Sequence, residues 1–221
     1  MISPQDLHRW NVSPAEAIAI QEQLRHRIIR QDNVGKVNRI AGVDVGFEMG
    51  GAITRAAVAV ISFPELELMD RSIARCPTVF PYVPGLLSFR EAPAILEALK
   101  SLQTLPDLLM VDGQGLAHPR RFGLASHLGL LVEIPSIGVA KSILVGRHQP
   151  LDETEGTWAP LVDGGEVIGA ALRTRQGVKP VYVSIGHRIS LETAVGITMQ
   201  CVRKHRLPEP TRQADLLASN R

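Results

Sequence analysis

Arg39-Ile40-Ala41-Gly42-Val43-Asp44-Val45-Gly46-Phe47 reads as a strand, apolar for most of its length, with one carboxylate inside it. Two further strand candidates follow, residues 52–62 and 67–78. They are joined by the short links Glu48-Met49-Gly50-Gly51 and Phe63-Pro64-Glu65-Leu66. Links that short suit antiparallel hairpins. The first two runs are nearly continuous in apolar residues, which predicts a sheet covered on both faces.

Upstream, Ser13-Pro14-Ala15-Glu16 has an N-cap residue, a proline at the first helical position and an early acid. It predicts a helix to about residue 29, with Ala17, Ile20, Leu24 and Ile28 on one face. Residues 31–38 read as a loop. Downstream, Ser88 followed by Glu91 is a capping-box pattern opening a helix whose stripe is Ile95, Leu96, Leu99 and Leu102. A strand at 108–112, a short helix at 123–132 and a buried strand at 136–141 come next. The later strand–helix–strand steps imply parallel pairing, so the fold class is α/β with a central mixed sheet: three antiparallel strands, then parallel ones, flanked by helices. Turns at Asp163-Gly164-Gly165 and Arg175-Gln176-Gly177 predict a smaller β meander over 162–186 that returns to the sheet edge, followed by helices at 191–205 and 210–218.

The 221 residues are 45% hydrophobic and 21% charged, enough for one substantial core. The expectation is one domain, 1–221, with its core at about 38–145 and the meander and last helices at about 158–218. With 24 Lys+Arg against 22 Asp+Glu, a net charge of +2 permits a nucleic-acid partner without arguing for one. Cys76 and Cys201 form no CxxC pair and no Cys/His cluster, which speaks against zinc. Residues 1–10 lack the basic start and apolar core of a signal peptide, and no apolar run nears the roughly 20 residues of a membrane span. A soluble protein of the reducing cytoplasm is expected.

Three carboxylates stand out. Asp44 lies in the opening run, Glu91 follows Pro81-Tyr82-Val83-Pro84-Gly85-Leu86-Leu87-Ser88-Phe89-Arg90, and Asp112 closes Leu108-Leu109-Met110-Val111 before Gly113-Gln114-Gly115. An acid at the end of a buried strand is costly unless a cation meets it. Three from separate segments point to one hard divalent cation and phosphoryl chemistry. Each also has an ordinary reading: Asp44 as a strand-end turn residue, Glu91 as a capping group, Asp112 as a loop acid. The loop from Gly113 to Gly123 is rich in glycine and carries Arg120 and Arg121, which suits approach to an anion or simply a flexible surface loop. It has neither the Walker nor the dinucleotide spacing. Two prolines brace Tyr82, which fits either a stacking platform or a buried ring. Lys141, at the end of Ile137-Gly138-Val139-Ala140, is either a snorkelling surface lysine or a phosphate contact. His118 and His187 carry weaker signals, and His187 reads equally well as a turn residue.

These stretches resemble the endonuclease V family, nucleases directed at deoxyinosine. The matches are AGVDVGF around Asp44, FPYVPGLLSFRE ending at Glu91, VDGQGLAHPRRFGLASHLG from Val111, IGVAKS around Lys141, SIGHRISLETA around His187 and LPEPTRQAD ending at Asp215. The resemblance implies a ribonuclease H-like fold. It implies hydrolysis of the second phosphodiester bond 3′ to a hypoxanthine nucleotide, leaving 3′-hydroxyl and 5′-phosphate ends. It makes Asp44, Glu91 and Asp112 the metal-binding acids. Asp215, where relatives hold His or Asp, becomes a fourth catalytic acid, and Lys141 lies near the scissile phosphate. It makes Pro81, Tyr82, Val83 and Pro84 a strand-separating wedge. Gly85, Leu87, Gly113, Gly138 and Ala140, with His118 close by, form a lesion pocket, and Arg120 and Arg121 are the expected phosphate contacts. Mg²⁺ is the implied cofactor, with Mn²⁺ able to substitute. The implied partner of a monomeric enzyme is inosine-containing DNA, or RNA, which some relatives prefer. Ser184-Ile185-Gly186-His187 departs from the pattern, since many relatives have Pro before the Gly. A non-catalytic lesion-binding module on the same fold is the competing reading, and the presence of all three acids argues against it.

Overall fold

The first helix, α1 (Pro14–Leu24), begins at a capping box in which Ser13 and Glu16 satisfy each other's backbone N–H groups, and it is continued by one 3₁₀ turn. It is therefore shorter than the expected helix to 29. The opening run folds as β1 (Arg39–Glu48), followed by β2 (Ile53–Ser62) and β3 (Leu68–Pro77). Both pairings are antiparallel, with Asp44 opposite Ala57. Residues 54–61 of β2 are all buried, as its apolar run requires. This computed structural model describes residues 2–219; residues 1, 220 and 221, the ends of the expected 1–221 domain, lie outside the described residues.

The next helix, α2 (Leu87–Lys100), does not start as expected. Leu86 is its N-cap and no side chain caps it. Leu86 is 1% exposed, packed with Phe80 and Phe89, so the chain enters the helix before Ser88 is reached. Ser88 becomes the second helical residue, its buried Oγ without a partner, and there is no capping box. Glu91 is thereby free of any capping duty.

After β4 (Leu108–Val111), α3 (Leu124–Val132) and β5 (Ser136–Ala140) complete the parallel part of the sheet, β1–β4–β5. The C-terminal meander returns to the edge of the sheet, as expected. β6 (Trp158–Asp163), β7 (Glu166–Leu172) and β8 (Val181–His187) extend the same sheet, because β8 pairs antiparallel with β5. The result is one eight-stranded sheet in the order β3-β2-β1-β4-β5-β8-β7-β6. Its apolar faces are covered on one side by α2 and α3 and on the other by α4 (Leu191–Gln200) and α5 (Glu209–Ala218). α4 stops well short of the expected residue 205. Among the described residues no helix is long and apolar enough to cross a membrane.

Candidate active site

Strand register brings the first two acids together. In the parallel β1–β4 pair Val43 lies opposite Val111, and the Asp112 N–H donates to Val43 O at 2.9 Å. Asp44 and Asp112 thus sit at one level of the sheet on strands about 5 Å apart. Helix α5 supplies the third. Asp44, Asp112 and Asp215 each offer a carboxylate oxygen within 4.8 Å of the other two. The helix comes this close because Gly42 and Gly46 flank Asp44 on the same face of β1. A Cβ at Gly42 would lie 1.8 Å from Pro210 O, and one at Gly46 2.6 Å from Ala218 O. Any side chain there would hold α5, and Asp215 with it, off the sheet.

The cluster is crowded with negative charge. Burial, then repulsion from Asp112, pushes the Asp44 carboxyl up to about 7. Burial, then Asp44 and Asp112, pushes Glu91 up to about 8. Glu91 lies beyond the three converging acids but near enough to feel two of them. Burial also raises Asp112, although Lys141 opposes it. Lys141 Nζ lies 2.5 Å from Asp112 Oδ2 and 3.0 Å from Asp215 Oδ1. Burial works against its charge, but the Asp112 carboxylate outweighs burial and holds the ammonium well above the ordinary lysine range. One ammonium against four carboxyl groups leaves the site short of positive charge. An all-oxygen donor set of this kind suits a hard divalent cation.

A cavity of about 360 Å³ opens beside the acids. Its walls include Gly85, Leu87 and Ser88 at the start of α2, Gly113, Gln114 and His118 of the following loop, and Ala140 and Lys141 at the end of β5. Of the expected pocket residues, only Gly138 is missing from the wall. It lies beneath, where a Cβ would stand 2.6 Å from Gly115 N and 2.7 Å from Gly113 O, so it lets the loop rest on β5. Tyr82 and Pro84 reach the rim, and Tyr82 is 69% exposed while Phe80 on the same segment is buried. Pro81 is exposed and Val83 packs inward against the cluster around Phe89.

The two arginines expected at phosphates are engaged by the protein instead. Arg120 donates to Gln21 Oε1 at 2.5 Å and to Gly85 O at 2.7 Å. Arg121 pairs with Asp163 and Glu166 at 2.8 and 2.7 Å, away from the cavity. His118 accepts from the Arg120 N–H on Nδ1, so Nε2 carries the proton and donates to Gly85 O at 2.9 Å. Burial, then Arg120, pushes His118 down to about 4, so it is neutral near pH 7 and braces the wall. His187 is buried outside the cavity and accepts from the Ile29 N–H at 3.3 Å.

Four contributions were not foreseen. Gln21 donates to Gly85 O and Phe122 O, 3.1 Å each, tying α1 to both sides of the cavity. Its signal was a polar residue within the buried stripe of Ala17 and Leu24. Arg90 holds Phe80 O at 2.7 Å and lies 4.7 Å over the Phe47 ring, anchoring the Tyr82 segment. Arg206 donates to Lys141 O and Pro180 O at 2.7 Å each, fixing the backbone beneath Lys141. Ile143 and Leu144 also line the cavity, exposed at 38% and 47%. Nothing in the sequence pointed to the last three contributions.

The model of the family described as endonuclease V matches residues 22–216. A curated endonuclease V of Trichormus variabilis is 60% identical over 215 residues, 97% of each chain. The crystal structure of endonuclease V from Streptomyces avermitilis superposes with a TM-score of 0.90 at 43% identity, covering 96% of this chain and 93% of that one. Endonuclease V of Ciona intestinalis, in complex with a 23mer DNA containing an inosine followed by a ribo-adenosine, gives 0.82 at 31% identity over 95% of this chain and 98% of its own.

Proposed function

The chain belongs to the endonuclease V family, and from that premise we propose that it is a metal-dependent nuclease for deaminated bases, hypoxanthine above all, in DNA. It hydrolyses the second phosphodiester bond 3′ to the lesion and leaves 3′-hydroxyl and 5′-phosphate ends. The observation that carries this reading is the convergence of Asp44, Asp112 and Asp215 beside the 360 Å³ cavity with Tyr82 at its rim.

The residues fit a hard cation, and Mg²⁺, replaceable by Mn²⁺, is the one such oxygen sets take with retained waters. Asp44, Asp112 and Asp215 would hold it, with Glu91 ligating directly or through water. When bound, it would polarise the scissile phosphate and supply hydroxide near neutral pH. Lys141 stays charged between Asp112 and Asp215 and stabilises negative charge developing on the phosphate oxygens.

Base choice follows from donors and acceptors. Hypoxanthine presents an O6 acceptor and an N1–H donor. Because α2 starts uncapped, the Leu87 and Ser88 N–H groups at the cavity wall have no intrahelical partner and suit O6. Gln114 Oε1, buried in the wall without a partner, suits N1–H. Adenine reverses both edges and would leave these groups unpaired, which costs about 1–3 kcal/mol each. Tyr82 fills the gap left by the extruded nucleotide, an extrusion that is easiest at a mismatched pair. The same reading makes the protein a monomer of one domain. Two free cysteines, Cys76 and Cys201, accord with the reducing cytoplasm.

The test compares inosine-containing DNA and RNA duplexes with their adenine counterparts, in Mg²⁺ and in chelator. One Mg²⁺-dependent nick 3′ to inosine in DNA is expected, lost in Asp44→Ala and Asp112→Ala. Nicking that survives chelation or either substitution would refute the metal centre.

A further inference from the structure

A second cleft lies beside the cavity. It encloses about 340 Å³ and is lined by Arg25, His26, Arg30, Pro119, Arg121 and Glu166. Three guanidinium groups and an imidazole face a single lining carboxylate. Arg30 reaches Glu166 Oε1 and Arg121 reaches Oε2, each at 2.7 Å, and Arg121 also pairs with Asp163 at 2.8 Å. The two acids orient two of the arginines and leave the cleft with an excess positive charge. Arg25 and His26 have no acidic partner among the described residues, and Arg25 is half-buried in the lining while His26 is exposed.

Two stretches of chain tie this cleft to the cavity. Gln21 lines the cavity and Arg25, one helical turn or about 6 Å further on, lines the cleft. His118 lines the cavity, and Pro119 the cleft. The neighbouring arginines then part: Arg120 turns to Gly85 O at 2.7 Å, while Arg121 turns to Glu166. A strand leaving the cavity along the end of α1 would meet the cleft within a few nucleotides.

We propose that this cleft binds backbone phosphates of the nucleic-acid strand flanking the lesion, with Arg25 and Arg30 as its principal contacts. The proposal rests on the reading of the protein as a nuclease for inosine-containing nucleic acid. Guanidinium forks match phosphate oxygens in pairs, and forks already oriented by Glu166 lose little freedom on binding. Phosphate contacts carry no sequence information, so the cleft adds affinity and fixes the path of the strand without reading bases.

The test is equilibrium binding of the full chain, in chelator, to an inosine-containing duplex and to its adenine counterpart across a salt series. Each phosphate contact removed lowers the slope of log affinity against log salt by about 0.9. Arg25→Ala should lower it by about 1 and Arg25→Ala/Arg30→Ala by about 2. At about 0.1 M salt the double variant should bind at least about tenfold more weakly, equally for both duplexes. Arg25→Lys/Arg30→Lys keeps the charge and should keep most of the slope. Arg25→Ala alone, which has no ion pair to lose, keeps the test decisive if the double variant is unstable. Unchanged slopes in the alanine variants, or a loss confined to the inosine duplex, would overturn the cleft. If wild-type protein still nicks inosine DNA selectively, that failure leaves the nuclease reading standing. A wild type without any preference for inosine removes the inosine-directed reading on which the proposal rests.

Discussion

Asp44 and Glu91 weaken the folded chain when they ionise. The Asp44 carboxyl moves from an ordinary 3.8 to about 7 on folding, and Glu91 from 4.5 to about 8. Between those limits the folded state binds more protons than the unfolded chain, so stability falls as pH rises through the folded values. In chelator, the melting temperature should therefore drop between about pH 4 and pH 8. Asp44→Asn should flatten that drop, and Mg²⁺ should raise the melting temperature more at the alkaline end. A pH-independent melting temperature would contradict this account of the acids. Tyr82, at 69% exposed, should behave oppositely. Tyr82→Ala should leave melting unchanged and weaken inosine-duplex binding by about 1–3 kcal/mol, read by titration. Asp44, Asp112 and Lys141 were legible as residues because each ends or interrupts an apolar run. Arg206 and Arg90 were not, since their contacts are to backbone carbonyls, which carry no side-chain signal in the sequence.

Two glycines on different elements should respond with opposite sign to the same substitution. Gly42 of β1 faces Pro210 O at 1.8 Å from a hypothetical Cβ, a rigid backbone neighbour. Gly42→Ala should cost about 3 kcal/mol, displace α5 and abolish nicking by moving Asp215. Gly196, within α4, meets nothing within 4 Å. Gly196→Ala should stabilise by about 1 kcal/mol through helix propensity, with nicking intact. Denaturant unfolding measures both. The first five strands were legible within a residue or two because their apolar runs are bounded by turns, whereas β6 begins four residues before the expected meander. The start of α2 was not, because burial of Leu86 overrode the local capping pattern of Ser88 and Glu91. Nor was the pairing of β8 with β5, which joins residues more than 40 apart in the chain and leaves no local trace.

Across the whole molecule, the first residues close the face that α2 and α3 share. Ile2 is buried in the core cluster, Gln5 N–H donates to Leu131 O at 2.7 Å, and His8 Nε2 lies 2.7 Å from His127 Nε2. Trp10 stacks on His127 with ring centroids 5.5 Å apart. Removing residues 2–11 should expose Phe89 and His127 and lower the melting temperature by roughly 5–10 °C, measurable by calorimetry. An unchanged melting temperature would mean that this strap is not part of the cooperative unit. The docking of α5 on Gly42 and Gly46 has a different consequence, for the order of events in the cell. A ribosome delivers β1 and β4 long before α5, so a nascent chain carries Asp44 and Asp112 without Asp215. On the proposed role of Asp215, cutting power is then withheld during translation, and a chain stopped ahead of α5 should fail to nick inosine-containing DNA.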